Sequence, residues 1–180
     1  MRKLLLPLLF LFSISTTAFA QNISIGLRGG LAVGSAAGTG IIRTPEASRI
    51  GFTGGVFVNL PINSDFNISP ELSYIQKGFT YNGISQYSDY VQFATTLKIN
   101  MGDAPVYTIV GPFVSYLPTV NDLAPEQKSL EAGGIFGFGY RLNERLSLEG
   151  RYQFSNHIWE SFLVDKFRNT ALDFSLCYHF

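Results

Sequence analysis

The final twelve residues, Asn169 to Phe180, constrain the fold more than any other stretch. Leu172, Phe174, Leu176, Tyr178 and Phe180 are apolar or aromatic, whereas Ala171, Asp173, Ser175, Cys177 and His179 between them are small or polar. A period of two puts the two sets on opposite faces of a strand. An apolar face this complete needs cover from a second sheet or from lipid. Two solutions meet that need, an edge strand of a sandwich and a strand that closes a membrane barrel.

The same alternation recurs upstream over Asn22–Val33, Ile50–Leu60, Phe66–Lys77, Tyr90–Asn100, Leu130–Leu142 and Leu146–Ser155. Val106–Leu117 is also strand-like but apolar on both faces, so its facing cannot be read. The total is eight strands, each near the 9 to 11 residues that a tilted membrane strand requires. Short turns at Pro61–Asp65, Met101–Pro105 and Asn143–Arg145 alternate with long loops at Gly34–Arg49, Gly78–Asp89, Pro118–Ser129 and Asn156–Arg168. That sorting is expected of an eight-stranded antiparallel transmembrane up-and-down β-barrel with short periplasmic turns and longer extracellular loops.

Charge placement favours the barrel over the sandwich. Arg28, Glu71, Lys77, Lys98, Glu131, Arg141, Glu149, Arg151 and Asp173 all fall on the polar faces, and those faces are also rich in glycine. Glycine weakens a strand unless something must approach closely, and a narrow lumen filled with long side chains supplies the reason. Arg28, Glu71, Lys98, Glu131, Glu149, Arg151 and Asp173 are accordingly expected to form a lumen charge network. The turns set the register, because cross-strand partners share a face. A tight turn at Asn143–Arg145 predicts Glu149 opposite Gly139 and Arg151 opposite Gly137, and the turn at Pro61–Asp65 predicts Glu71 opposite Gly55. Pro70 and Pro112 fall inside strands, where each removes a ladder donor, so bulges are expected there.

The amino terminus indicates export. Arg2 and Lys3 precede the apolar run Leu4–Ile14, and Ala18-Phe19-Ala20 supplies a small-x-small cleavage site. Residues 1–20 thus read as a secretory signal peptide, which leaves a domain of about 160 residues at 21–180. Gln21 rather than cysteine follows, so no lipoprotein anchor is expected. Cys177 is the single cysteine and cannot form an internal disulfide. Thirteen basic residues balance thirteen acidic ones without a block of either sign, which makes nucleic acid a poor partner.

No catalytic, cofactor or metal site is expected. Ser155, His157 and Glu160 lie together at an outer rim and offer the residue types of a Ser-His-Glu arrangement; His157 and Trp159 read better as interfacial rings. Gly34, Gly38 and Gly40 are followed by no helical pattern and so form no phosphate cradle. His157 and His179 lie at opposite ends of their strands, away from any metal-ligand spacing.

The whole mature chain resembles the PorT-like family of small outer-membrane β-barrel domains. The resembling stretches are Gly26-Leu27-Arg28-Gly29-Gly30, Pro70 to Gly78, Gly137 to Leu142, and Arg151-Tyr152-Gln153. The resemblance implies a place in the bacterial outer membrane and a link to protein secretion or export. Phe174, Leu176, Tyr178 and Phe180 resemble the terminal signature by which the barrel-assembly machinery recognises its substrates. An eight-stranded barrel is just wide enough for side chains to fill, so a general porin is not expected. The expected function is structural or surface-binding, in a monomer whose partners are outer-membrane lipid, the assembly machinery and a surface ligand that the sequence does not identify. The alternative is a lipid-modifying enzyme like the small outer-membrane deacylases, although those place His before Ser in the chain.

Overall fold

The computed structural model describes residues 23–39, 47–81, 84–118, 130–160 and 166–180. The expected signal peptide at residues 1–20 lies outside these. Eight strands follow in order: β1 (Ser24–Thr39), β2 (Ala47–Pro61), β3 (Phe66–Tyr81), β4 (Ile84–Asn100), β5 (Val106–Tyr116), β6 (Leu130–Arg141), β7 (Leu146–Glu160) and β8 (Lys166–His179). Each pairs antiparallel with its sequence neighbour, and β1 pairs with β8, which closes the barrel. The sandwich is thereby excluded.

Alternation sets the facing of every strand. Leu172, Phe174, Leu176, Tyr178 and Phe180 point outward, Phe174 at 59% and Phe180 at 70% exposure. Leu27, Leu31, Phe52, Leu72, Phe93, Phe136, Phe138 and Leu148 extend this exposed apolar surface around the barrel. β5, ambiguous in sequence, turns Tyr107, Ile109, Phe113 and Leu117 inward and Val110, Val114 and Tyr116 outward. Its neighbours decide this, because Tyr107 and Phe113 lie opposite the inward glycines Gly139 and Gly133 of β6, where a bulky ring fits.

At the short-turn side, asparagine shapes two connections. Asn63 Oδ1 accepts from the backbone N–H groups of Asp65 and Phe66, each at 2.9 Å. Asn143 Oδ1 accepts from Arg145 and Leu146 at 2.8 Å. Both are local side-chain turns of the kind that asparagine favours. In the third turn Gly102 adopts φ of 59°, a left-handed value open to glycine. Adjacent turns are tied by Asn100 N to Asp65 O, Arg141 N to Pro105 O and His179 N to Arg145 O, at 2.7 to 2.8 Å. Phe180 N closes the seam by donating to Ile25 O at 2.9 Å.

Three expectations need correction. Gly78–Asp89 is not a long loop: β3 runs to Tyr81, β4 begins at Ile84, and Tyr81 pairs with Ile84. Asn82-Gly83 is the dipeptide preferred for two-residue hairpins, and Phe79, Tyr81 and Tyr87 favour strands. β1 and β2 likewise extend into Gly34–Arg49, and β7 and β8 into Asn156–Arg168. The connection after β5 stays free of strand up to Pro118, and residues 119–129 lie outside those described.

The second correction is register. Glu149 faces Gly139 and Arg151 faces Gly137 as the turn predicts. Glu71, however, faces Phe57, and Ser73 takes the place opposite Gly55. Pro61 itself pairs with Asn67, so the turn is tighter than the sequence suggests and the register moves by two. A shift of two keeps every side chain on its face.

The third concerns proline, since no register shift occurs at Pro70 or Pro112. Pro70 stays in register with Thr95 on β4, and the β2–β3 ladder lacks pairs between Phe57–Glu71 and Leu60–Ile68. Pro112 stays in register with Gly134, and the β4–β5 ladder lacks pairs between Ala94–Phe113 and Leu97–Val110. A missing N–H leaves a gap on one side of its strand and demands no extra residue. The observed irregularities sit elsewhere, between Ser48 and Thr53 on β2 and from Phe154 to Trp159 on β7.

Candidate functional site

The lumen concentrates the charged residues. Arg28, Lys77, Lys98 and Arg151 face Glu71, Glu131, Glu149 and Asp173, all at 5% exposure or less. Four cations thus meet four carboxylates, and a balance is what a low-dielectric interior requires. The pairs divide into two layers.

The inner layer, toward the short turns, is one connected network. Arg151 Nη1 donates to both oxygens of Glu71 at 2.8 and 2.9 Å, while Nε and Nη2 donate to Glu149 Oε2 at 3.0 and 2.6 Å. Arg28 donates to Glu71 Oε1 at 3.0 Å, to Ser175 Oγ at 2.9 Å and to Asp173 Oδ2. Lys98 Nζ donates to Glu149 Oε1 at 2.9 Å, and the Tyr107 hydroxyl donates to the same oxygen at 2.7 Å. Arginine serves as the bridge because its planar fork addresses two carboxylates at once.

The outer layer is a single pair, Lys77 Nζ to Glu131 Oε1 at 3.0 Å. Glu131 Oε2 has no hydrogen-bond partner among the described residues, and neither amide atom of Gln153 has one. Between and around the two layers the lumen holds two apolar clusters, one with Ala94, Ile109, Phe113 and Ile135 and another with Ala32, Ile75, Tyr90 and Leu117, beside neutral polar side chains such as Gln92, Thr96 and Ser115.

Both lysines rest among aromatic rings. Lys98 Nζ lies 4.7 Å from the ring centroid of Phe57 and 5.5 Å from that of Tyr107, and Lys77 Nζ lies 4.9 Å from Phe113 and 5.2 Å from Tyr90. Glycine makes room for three of those rings. A Cβ at Gly26 would lie 2.2 Å from the Phe57 ring, one at Gly139 would lie 2.1 Å from Tyr107, and one at Gly133 would lie 2.8 Å from Phe113. The aromatic residues are the contributors that charge patterning alone does not find. For Phe57, Tyr107 and Phe113 the signal in the sequence is a bulky ring opposite a glycine of the neighbouring strand.

The remaining site expectations are placed as follows. Arg141 is not in the filled lumen: it is exposed at the short-turn mouth, where it donates to Asn100 Oδ1 and lies 5.4 Å from the Tyr107 ring centroid. Ser155 is buried toward the lumen. The side chains of His157, Trp159 and Glu160 lie outside those described, as does residue 40, whereas Gly34 and Gly38 lie on β1. Cys177 is buried. Among the described residues no group of three or more His, Cys, Asp or Glu could hold a metal ion. At the opposite end, an outward carboxylate on β4, Asp89, accepts from Tyr74 Oη at 2.8 Å and Gln76 Nε2 at 3.0 Å. Below it the outward positions of β4 read Val91, Phe93, Thr95, Leu97 and Ile99, which places Asp89 at the upper edge of the apolar band.

A family profile described as outer membrane protein beta-barrel domain matches residues 19–155, which spans β1 to most of β7. Among solved structures, the neisserial surface protein A (NspA) aligns with a TM-score of 0.55 and 17% identity, covering 89% of this chain and 100% of that one. Ail, the attachment invasion locus protein of Yersinia pestis, solved in complex with the heparin analogue sucrose octasulfate, aligns with a TM-score of 0.50 and 13% identity, again covering 89% and 100%. At these identities the likeness is one of fold. A search of curated proteins found no match.

Proposed function

This chain belongs to the outer membrane protein beta-barrel domain family, and from that premise we propose that it is a small non-porin barrel that works at the cell surface through its extended strand ends and loops. The observation that carries this reading is the filled lumen: paired charges and two apolar clusters occupy the interior along its length. Moving an ion through it would require breaking buried pairs, at several kcal/mol each. β3 and β4, by contrast, continue past Asp89 to Tyr81 and Ile84, beyond the apolar band, and offer a surface that lipid does not cover.

The barrel acts without catalysis on this reading, since Ser155 faces inward. Lipid surrounds the apolar belt, and the protein works as a monomer. Phe174, Leu176, Tyr178 and Phe180 serve two ends, contact with lipid and recognition by the assembly machinery. A role in protein export, which the resemblance to PorT-like barrels suggests, gives the reading its cellular form. Loss of the gene would then alter the set of surface-exported proteins and not envelope integrity alone.

Purified protein in planar bilayers is expected to show no large, stable conductance. A steady porin-like current would overturn the proposal. Deleting Phe180 should lower the amount of assembled barrel in cells by more than it lowers the stability of barrel refolded in detergent. Equal losses in the two measurements would reduce the terminal ring to ordinary lipid-facing surface.

A further inference from the structure

The short-turn mouth contains a cavity of about 340 Å³ whose lining includes Asn59, Arg141, Ser147 and His179. Its inner end is the ionic layer, reached through Lys98 and Tyr107. We propose that this cavity binds a small oxyanion, such as phosphate or a carboxylate, with the Arg141 guanidinium as its main contact.

The argument begins with charge. All four lumen cations have a carboxylate within 3.0 Å. Arg141 has none within 4.0 Å among the described residues; its acceptor there is the neutral Asn100 Oδ1. The Tyr107 ring beneath it restricts the guanidinium, so its remaining donors are positioned before any ligand arrives. A planar fork with free donors suits carboxylate and phosphate oxygens.

Three polar residues of the lining are already held in place. Asn59 Nδ2 lies 3.1 Å from His179 Nδ1, and Ser147 Oγ lies 3.2 Å from His179 Nε2. Asn59 and Ser147 thus hold the His179 ring in place from its two nitrogens. Asn59 Oδ1 is buried and has no partner among the described residues. Glu144, also in the lining, opposes an anion and gives the proposal a second handle of opposite sign.

The test uses the mature barrel refolded in zwitterionic detergent, titrated with inorganic phosphate and separately with lactate at constant ionic strength set by chloride. Saturable heat of binding is expected, together with a shift of the Arg141 side-chain NMR signal. Arg141→Gln should weaken binding roughly tenfold or more, the loss of one charge-assisted hydrogen bond. Glu144→Gln should tighten it. Repeating the titration in nanodiscs of phosphatidylglycerol and of phosphatidylcholine separates two sources of the same chemistry. Competition in the anionic discs assigns the site to a lipid headgroup, and equal binding in both assigns it to a free oxyanion. Absence of saturation, or unchanged affinity in a correctly folded Arg141→Gln barrel, overturns the proposal. Should Arg141→Gln fail to refold, an affinity unaltered by Glu144→Gln overturns it instead.

Discussion

The two ionic layers of the lumen share one local arrangement and differ in what surrounds it. In each, a lysine between two aromatic rings donates to a glutamate, and at least one ring occupies space left by an inward glycine. The inner pair, Lys98–Glu149, is joined through Arg151 to Glu71, Arg28 and Asp173, and every carboxylate oxygen in that layer has a donor. The outer pair, Lys77–Glu131, stands by itself among the described residues, where one glutamate oxygen has no partner. An isolated buried pair returns little stability, because desolvation offsets its attraction. Within a network each charge is shared, so removing one member weakens the pairing of several others.

The largest expected effect follows from that difference. Arg151→Met leaves both Glu71 and Glu149 short of a cation and should destabilise the barrel by about 3 to 5 kcal/mol in a detergent unfolding experiment. Lys77→Met strands one carboxylate and should cost less. Equal losses would show that the layers are energetically alike.

Next in size is the fit of ring against glycine. Gly139→Ala pushes a Cβ into the Tyr107 ring and should cost roughly 1 to 3 kcal/mol, as overpacking does. Gly29→Ala, on the outward face with nothing within 4 Å, should change stability by no more than about 0.5 kcal/mol. Matching outcomes would refute the account of the inward glycines.

Tyr107→Phe weakens the inner layer alone by deleting the hydroxyl that reaches Glu149 and Ser147. A loss of about 1 to 2 kcal/mol is expected from equilibrium unfolding. The smallest effect belongs to the double replacement Lys77→Met with Glu131→Leu. Removing the isolated pair whole should be neutral to within about 1 kcal/mol. The corresponding replacement Lys98→Met with Glu149→Leu takes away an acceptor of Arg151 and should be clearly destabilising. A comparable cost for the two double variants would break the distinction between layers.

Alternation determined most of this protein. Because side chains on a strand point to opposite faces by turns, the sequence alone assigned Leu148 and Phe174 to the outside and Arg28, Glu71 and Arg151 to the inside. The Asn143 turn fixed the Glu149–Gly139 and Arg151–Gly137 pairs for the same local reason. Tertiary structure decided what periodicity cannot express. β5 is apolar on both faces, so only the glycines of β6 opposite it could choose its inward side. Glu71 met Phe57 instead of Gly55 because turn tightness moves a register by two without changing any face. Gly78–Asp89 became strand on signals that alternation does not register, the Asn82-Gly83 dipeptide and the strand-favouring rings of Phe79, Tyr81 and Tyr87, once its two halves paired. Which cation meets which carboxylate was decided only by closure, since Arg28 and Asp173 lie 145 residues apart in the chain and become neighbours when β8 pairs with β1.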